Sequence, residues 1–309
     1  MRILIIGAGA IGGYFGGRLL QAGADVTFLV RPNRAAQLAK TGLVIKSRFG
    51  DAELNAPTVL ADTLREPFDL IVVSCKAYDL AGAMDSFAPA VGPQSAVLPL
   101  LNGMRHLDLL DDRFGAGTAL GGECEIVVTL DDTGQILHVN NTHSLTFGER
   151  AGRRSPRIEA IAKAMQGANL EAIVSDNVIL EMWEKWVFLA TLASSTCLMR
   201  ATIGDIVGSG STDLILSILQ ECRATADRHG FAPRPAFMDR IRGVLTAQGS
   251  PLMPSMLRDI ERGARTEADH IIGDLIERRG TAQKGSLLDI AYANLRAYEA
   301  RRIRLQQSA

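Results

Sequence analysis

Gly7, Gly9 and Gly12 stand in GxGxxG spacing within ILIIGAGAIGGYFGGRLLQAG, after an apolar strand-like run and at the head of a helical pattern. Glycine allows a tight turn at the first position, close approach of a pyrophosphate at the second, and close helix–strand packing at the third. The unpaired N–H groups of the helix start suit phosphate oxygens. The implied chemistry is dinucleotide binding by Gly7, Gly9, Ala10, Ile11 and Gly12. A lone GxGxxG is weak evidence; its place on the first strand of a βαβ unit gives it weight. The next strand ends FLVRP, with Arg31 where NAD-binding versions carry an acid for the ribose 2′-hydroxyl, and Arg34 close behind. A guanidinium cannot accept that proton but forks onto a phosphate, so NADP is favoured. The plainer reading of Arg31 is a solvated loop arginine.

Four further residues stand out. VVSCK and PLLNG deliver Lys76, Asn102 and Gly103 to the ends of strand-like runs, and ligands in open α/β sheets bind at that carboxyl edge. Asn-Gly is also a common turn dipeptide, and Lys76 also reads as a surface residue. Lys185 lies between Trp183 and Trp186, and no further charge follows it through Ala193. Burying an ammonium is costly unless something offsets it. Either the lysine faces a cleft, or its stem snorkels from a core helix to water.

These residues need elements to hold them. RILIIG, DVTFLV, LVIKS, DLIVVSC and SAVLPLLN read as strands, and 10–22, 33–41, 78–88 and 104–113 as helices between them. That alternation predicts an α/β fold with a doubly wound, Rossmann-like parallel sheet. ALGGECEIVVTL, GQILHVN and HSLTFGE, over about 118–150, read as antiparallel strands at the sheet's far edge. A helix over 156–168 and the strand LEAIVS follow. After Asp176, an expected N-cap, the chain reads as helical only: 176–199, 211–228, 235–247, 255–262, 266–279 and 286–304. The division is therefore an NADP-binding domain over 1–175 and an all-helical domain over 176–309.

The whole-chain balance excludes some partners. The 309 residues are 47% apolar and 22% charged, with a formal net charge of −1. Nothing there points to nucleic acid or an anionic membrane. Cys75, Cys124, Cys197 and Cys222 are widely spaced, which suits reduced thiols and a cytoplasmic location. The basic, apolar start resembles a signal peptide, but it is glycine-rich, lacks a cleavage site and falls short of a membrane span. No histidine has metal-ligand spacing, so no metal is expected; His138 and His143 read as structural. Apolar positions on the C-terminal helices allow a homodimer.

With these pieces in place, the chain resembles the ketopantoate reductase (2-dehydropantoate 2-reductase) family nearly end to end. The match comprises GxGxxGxxxG through Gly16, then VRP, SCKAYD, LLNGM and WEKW. PSMLRDIERGARTEAD is similar to the family's S-S-M-x-Q-D…R-x-T-E-x-D and is far more specific than the glycine loop. The resemblance implies a two-domain NADPH-dependent enzyme with substrate between the domains. It also implies Lys185 as the catalytic lysine, Asn102, Ser255 and Glu267 around the substrate, and Arg31, Lys76 and Asn102 near the cofactor. Hydride delivered to a ketone carbon leaves an alkoxide that needs a proton and a nearby positive charge.

The departures matter too. Where the family commonly has asparagines four and eight positions after the lysine, this chain has Leu189 and Ala193, and Arg258 replaces a glutamine. Three expectations follow: reduction of 2-dehydropantoate to pantoate in pantothenate biosynthesis, the same chemistry on another small 2-oxo acid, or an NADP-binding regulator without turnover.

Overall fold

Short runs of Ile, Leu and Val that are apolar on both sides are buried fully only in a parallel sheet covered by helices. A computed structural model, which describes residues 1–281 and 284–307, has that arrangement. In chain order its first half runs β1 (Arg2–Ile6), α1 (Ala10–Gln21), β2 (Asp25–Leu29), α2 (Pro32–Thr41), β3 (Leu43–Lys46), β4 (Ala52–Leu54) and β5 (Thr58–Val59). Then come β6 (Phe68–Val73), a 3-10 turn (Ala77–Asp79), α3 (Leu80–Phe87), β7 (Val91–Pro99), α4 (Arg105–Phe114), β8 (Gly121–Leu130), β9 (Ile136–Gly148), α5 (Pro156–Met165) and β10 (Glu171–Val174). The first sheet is wholly parallel, in the order β5-β2-β1-β6-β7. The chain winds outward from β1 through β2 and returns to β6 on its other side. This puts a topological switch point, the usual ligand crevice, at the carboxyl ends of β1 and β6.

The sequence predicts that the antiparallel strands extend this sheet at its far edge, and they do not. They build a second sheet, β10-β9-β3-β4, with β8 paired antiparallel to β9. LVIK, expected in the first sheet, joins the second as β3, with Ile45 opposite Ile136. Residues 118–120 do run beside β7, through Val97 N–H to Thr118 O (3.0 Å) and Leu120 N–H to Val97 O (2.8 Å), before the chain turns into β8. The reason is α1. A Cβ at Gly16 would stand 2.7 Å from Phe28 and 2.8 Å from Ile5 of the first sheet. At Gly13 or Gly17 it would stand 2.6 Å from Ile136 or 2.7 Å from Ile45 of the second. Glycine on both faces lets two sheets close on one helix, and every residue from Gly12 to Leu19 is buried.

The rest is helical: α6 (Val178–Met199), α7 (Ile203–Gly208), α8 (Thr212–Arg228), α9 (Pro235–Leu245), α10 (Ser255–Glu261), a π-helical turn (Asp269–Gly273), α11 (Asp274–Arg279) and α12 (Leu287–Gln307). Two compact units result: one of 1–101 with 106–178, the other of 102–105 with the chain from Ile179 onward. The helix expected from Asp176 starts at Val178, because Ser175 Oγ accepts from Asn177 N–H (2.9 Å) while Asp176 pairs with Arg154 (3.5 Å). The helix α7 escapes the periodicity. Its signal is the capping box of Thr202 and Asp205, which cap each other's N–H groups. The segment 266–279, expected as one α-helix, contains the π turn. Among the described residues, no helix is long and apolar enough to cross a membrane, and no cluster of metal-ligating side chains is assembled.

Candidate active site

The glycine loop lies in the first unit. Gly7 leaves β1 with φ at 87°, in the region that favours glycine, and its N–H donates to Leu29 O at 2.9 Å. Gly9 is the N-cap of α1 and offers no capping side chain, so the first N–H groups of the helix stay open to a ligand. A Cβ at Gly7 or Gly9 would meet nothing within 4 Å, whereas at Gly12 it would stand 2.3 Å from Ser74 Oγ and 2.5 Å from Gly7 O. The loop thus packs tightly beneath and is open above, which fits a pyrophosphate lying on Ala10, Ile11 and Gly12. Arg31 caps α2, is exposed, and pairs with Asp79 at 3.5 Å. Lys76 is half-buried at the head of the 3-10 turn after β6.

Arg34 has a different job from the one its place beside Arg31 suggests. Its Nε donates to Ala8 O in the glycine loop (3.0 Å), and its Nη1 donates to Gln37 Oε1 (2.6 Å) and Gly134 O (3.1 Å). It braces the loop against the turn between β8 and β9. Burial lowers its pKa.

Asn102, Lys185, Ser255 and Glu267 belong to the second unit. Gly103 has φ at 79°, and a Cβ there would stand 3.1 Å from His270 O and 3.2 Å from the His270 ring. The buried His270 imidazole donates to the backbone of Asn102. Burial pulls the His270 pKa below the usual histidine range, against the raising effect of Glu267 and of the Asn102 bond. His270 and Ile271 both donate their N–H to Glu267 O (3.1 and 2.9 Å), so the π turn sits directly on the glutamate's backbone. One residue further, Ile271 O accepts from Trp186 Nε1 at 2.8 Å, tying that turn to α6 beside Lys185. Backbone and indole bonds therefore gather Asn102, Glu267 and the lysine helix into one connected group. His270 is the member that sequence reading misses.

The helix α6 resolves the oddity of its charge. Trp183 and Trp186 are fully buried and Glu184 is locked by Arg234, whose backbone N–H and guanidinium both bond its carboxylate. Glu181, Lys185, Phe188 and Leu189 are only half-buried and recur at helical spacing, so they form one stripe. Lys185 lies on it. Leu189 shares the stripe, but Ala193 is buried. The nearby hydroxyls are also buried: Thr191 and Thr196 bond back to Val187 O and Leu192 O of their own helix, while Ser194 and Ser195 have no hydrogen-bond partner. Ser255 is exposed at the first residue of α10, and Arg258 is half-buried one turn on.

The family model of ketopantoate reductase PanE/ApbA matches residues 3–152, and that of its C-terminal region matches 177–298. The chain belongs to the ketopantoate reductase family. Its relatives include the Bacillus subtilis uncharacterized oxidoreductase YkpB, 36% identical over 97% of this chain and 99% of that protein. A Pyrococcus abyssi 2-dehydropantoate 2-reductase is 31% identical over 90% of each. Among solved structures, the Geobacter metallireducens 2-dehydropantoate 2-reductase superposes with a TM-score of 0.84 at 26% identity, over 96% of this chain and 99% of that one. A D-mandelate dehydrogenase solved with NADH and anilino(oxo)acetate shares the fold at 22% identity, with a TM-score of 0.86 and coverage of 98% and 99%. The parallel sheet followed by a helical region and the oxidoreductase class agree with the sequence expectation. The family takes its name from the reduction of a keto acid, ketopantoate, and the NADH belongs to the D-mandelate dehydrogenase structure.

Proposed function

We propose that this chain reduces a 2-oxo acid to a 2-hydroxy acid with NADPH, with 2-dehydropantoate as the first candidate. NADPH, when bound, supplies the hydride to the ketone carbon. Gly7, Gly9, Ala10, Ile11 and Gly12 would hold its pyrophosphate, Arg31 would take the 2′-phosphate, and Lys76 and Asn102 would each supply a polar contact to the cofactor. The Lys185 ammonium gives a proton to the oxygen that becomes the hydroxyl and is recharged from water. Glu267 and Ser255 orient the substrate, and Asn102 donates to it. The observation that carries this reading is the bonded group of Asn102, His270, Glu267 and Trp186, which holds the turn and the lysine helix in one frame. A preorganised frame is what oriented proton donation needs.

Leu189 favours a second substrate reading. An apolar side chain on the lysine's stripe, with the neighbouring hydroxyls buried, suits a 2-oxo acid bearing a plain alkyl group. One assay separates the readings: NADPH oxidation followed with ketopantoate and a panel of 2-oxo acids. Turnover with none of them, alongside tight NADPH binding, would leave a non-catalytic NADP-binding regulator.

A further inference from the structure

The ion pair of Arg31 and Asp79 links the two segments that flank the glycine loop in the sheet order. Arg31 follows β2 and Asp79 ends the turn after β6, and these strands flank β1 on its two sides. A bridge of 3.5 Å between Arg31 Nη2 and Asp79 Oδ1 therefore joins the segments that follow the two strands on either side of β1, from which the loop begins. We propose that Asp79 sets the dinucleotide preference of this chain by holding Arg31, opposing a 2′-phosphate and accepting a free 2′-hydroxyl, so that NADH is used alongside NADPH. The inference rests on the reading that the loop binds a nicotinamide dinucleotide.

Two observations support it independently. Asp79 occupies the N-cap position of α3, where an aspartate ordinarily accepts a backbone N–H, yet its side chain makes no capping bond. The fold does not commit this carboxylate, and Arg31 is what it reaches. Secondly, Arg34 gives its Nε and Nη1 to Ala8, Gln37 and Gly134 and its remaining Nη2 is buried, so it braces the loop and leaves the phosphate to the exposed Arg31. A 2′-phosphate, with about −1.5 to −2 charges at neutral pH, would meet a single guanidinium already partly offset by a carboxylate. A ribose hydroxyl has no such conflict, because a carboxylate is the group that dinucleotide folds use to accept it.

The test is fluorescence titration of the intact chain with NADPH and with NADH. Near a solvated surface, removing one opposing charge is worth roughly threefold to tenfold in affinity. Asp79→Asn should therefore tighten NADPH by that factor without tightening NADH. Asp79→Glu, which keeps the charge, should leave the ratio of the two affinities near that of the unaltered chain. Arg31→Ala should weaken NADPH selectively. An unchanged ratio in Asp79→Asn, or weaker NADPH binding there, overturns the inference. Failure of the unaltered chain to bind either dinucleotide overturns the proposed function instead.

Discussion

A lysine beside two buried tryptophans is tolerable when its own position is on a half-buried stripe, and Lys185 meets that condition. If it is the proton donor, Lys185→Ala removes a group needed only as charge develops on the substrate oxygen. The variant should fold, bind NADPH as before, and lose about a hundredfold or more in kcat. Near-normal turnover would return Lys185 to the role of a snorkelling surface residue. The types of these residues were legible in the sequence: glycine spacing, an arginine after β2, a lone lysine in an apolar helix. Their partners were not. Arg34 braces a turn 100 residues away, and His270 bonds a backbone far upstream. Neither position carries a local pattern that could reveal it, because the contact exists only once the chain has folded.

At the scale of elements, the proposed function makes α6 the helix that selects the substrate. Ketopantoate carries a hydroxyl that a site built for it would hydrogen-bond, and loss of such bonds costs about 0.5–1.5 kcal/mol each. With Leu189 on the stripe and Thr191, Ser194, Ser195 and Thr196 buried, we expect little preference for ketopantoate over its analogue lacking the 4-hydroxyl, less than roughly tenfold in kcat/KM. A strong preference for the hydroxylated substrate would refute this. Elements were the most readable level of the sequence. The parallel strands and most helices follow from hydrophobic periodicity and turn residues. The second sheet did not, because a short apolar run such as LVIK fixes its own conformation but not its partner. The π turn was invisible for a related reason: its Ile271 carbonyl is held by Trp186 Nε1, a partner 85 residues away that local composition does not signal.

For the molecule as a whole, two histidines make stability depend on pH. Burial lowers the pKa of His143, with a further lowering from His138, and burial also lowers that of His270 among Glu267, Arg105 and Arg278. Tyr14 OH bonds His143 Nδ1 at 2.9 Å, and Phe49 stacks on its ring at 3.8 Å. In the unfolded chain these rings bind a proton near the usual histidine value of about 6.5. The unfolded state therefore takes up more protons as pH falls below that value, and folding stability falls with it. Stability should be full above about pH 6.5 and decline as pH drops through the lower folded values. Glu149, lowered by its bond to Arg157, adds a second loss in the carboxylate range. Melting temperatures measured between pH 7.5 and 5 should drop, and His143→Gln should flatten the upper part of that drop. An identical slope in the variant would rule out His143 as a source.

The helix behind the glycine loop has no solvent face along most of its length, because one sheet closes on each side of it. Its backbone amides can meet water only when those sheets part, so their hydrogen-exchange rates report the opening of the entire first unit. The loop it carries consequently arrives already ordered at the end of a rigid rod. A dinucleotide settling there would lose its own freedom but have no helix to organise, and its affinity would reflect contacts made without an entropic toll on the backbone beneath.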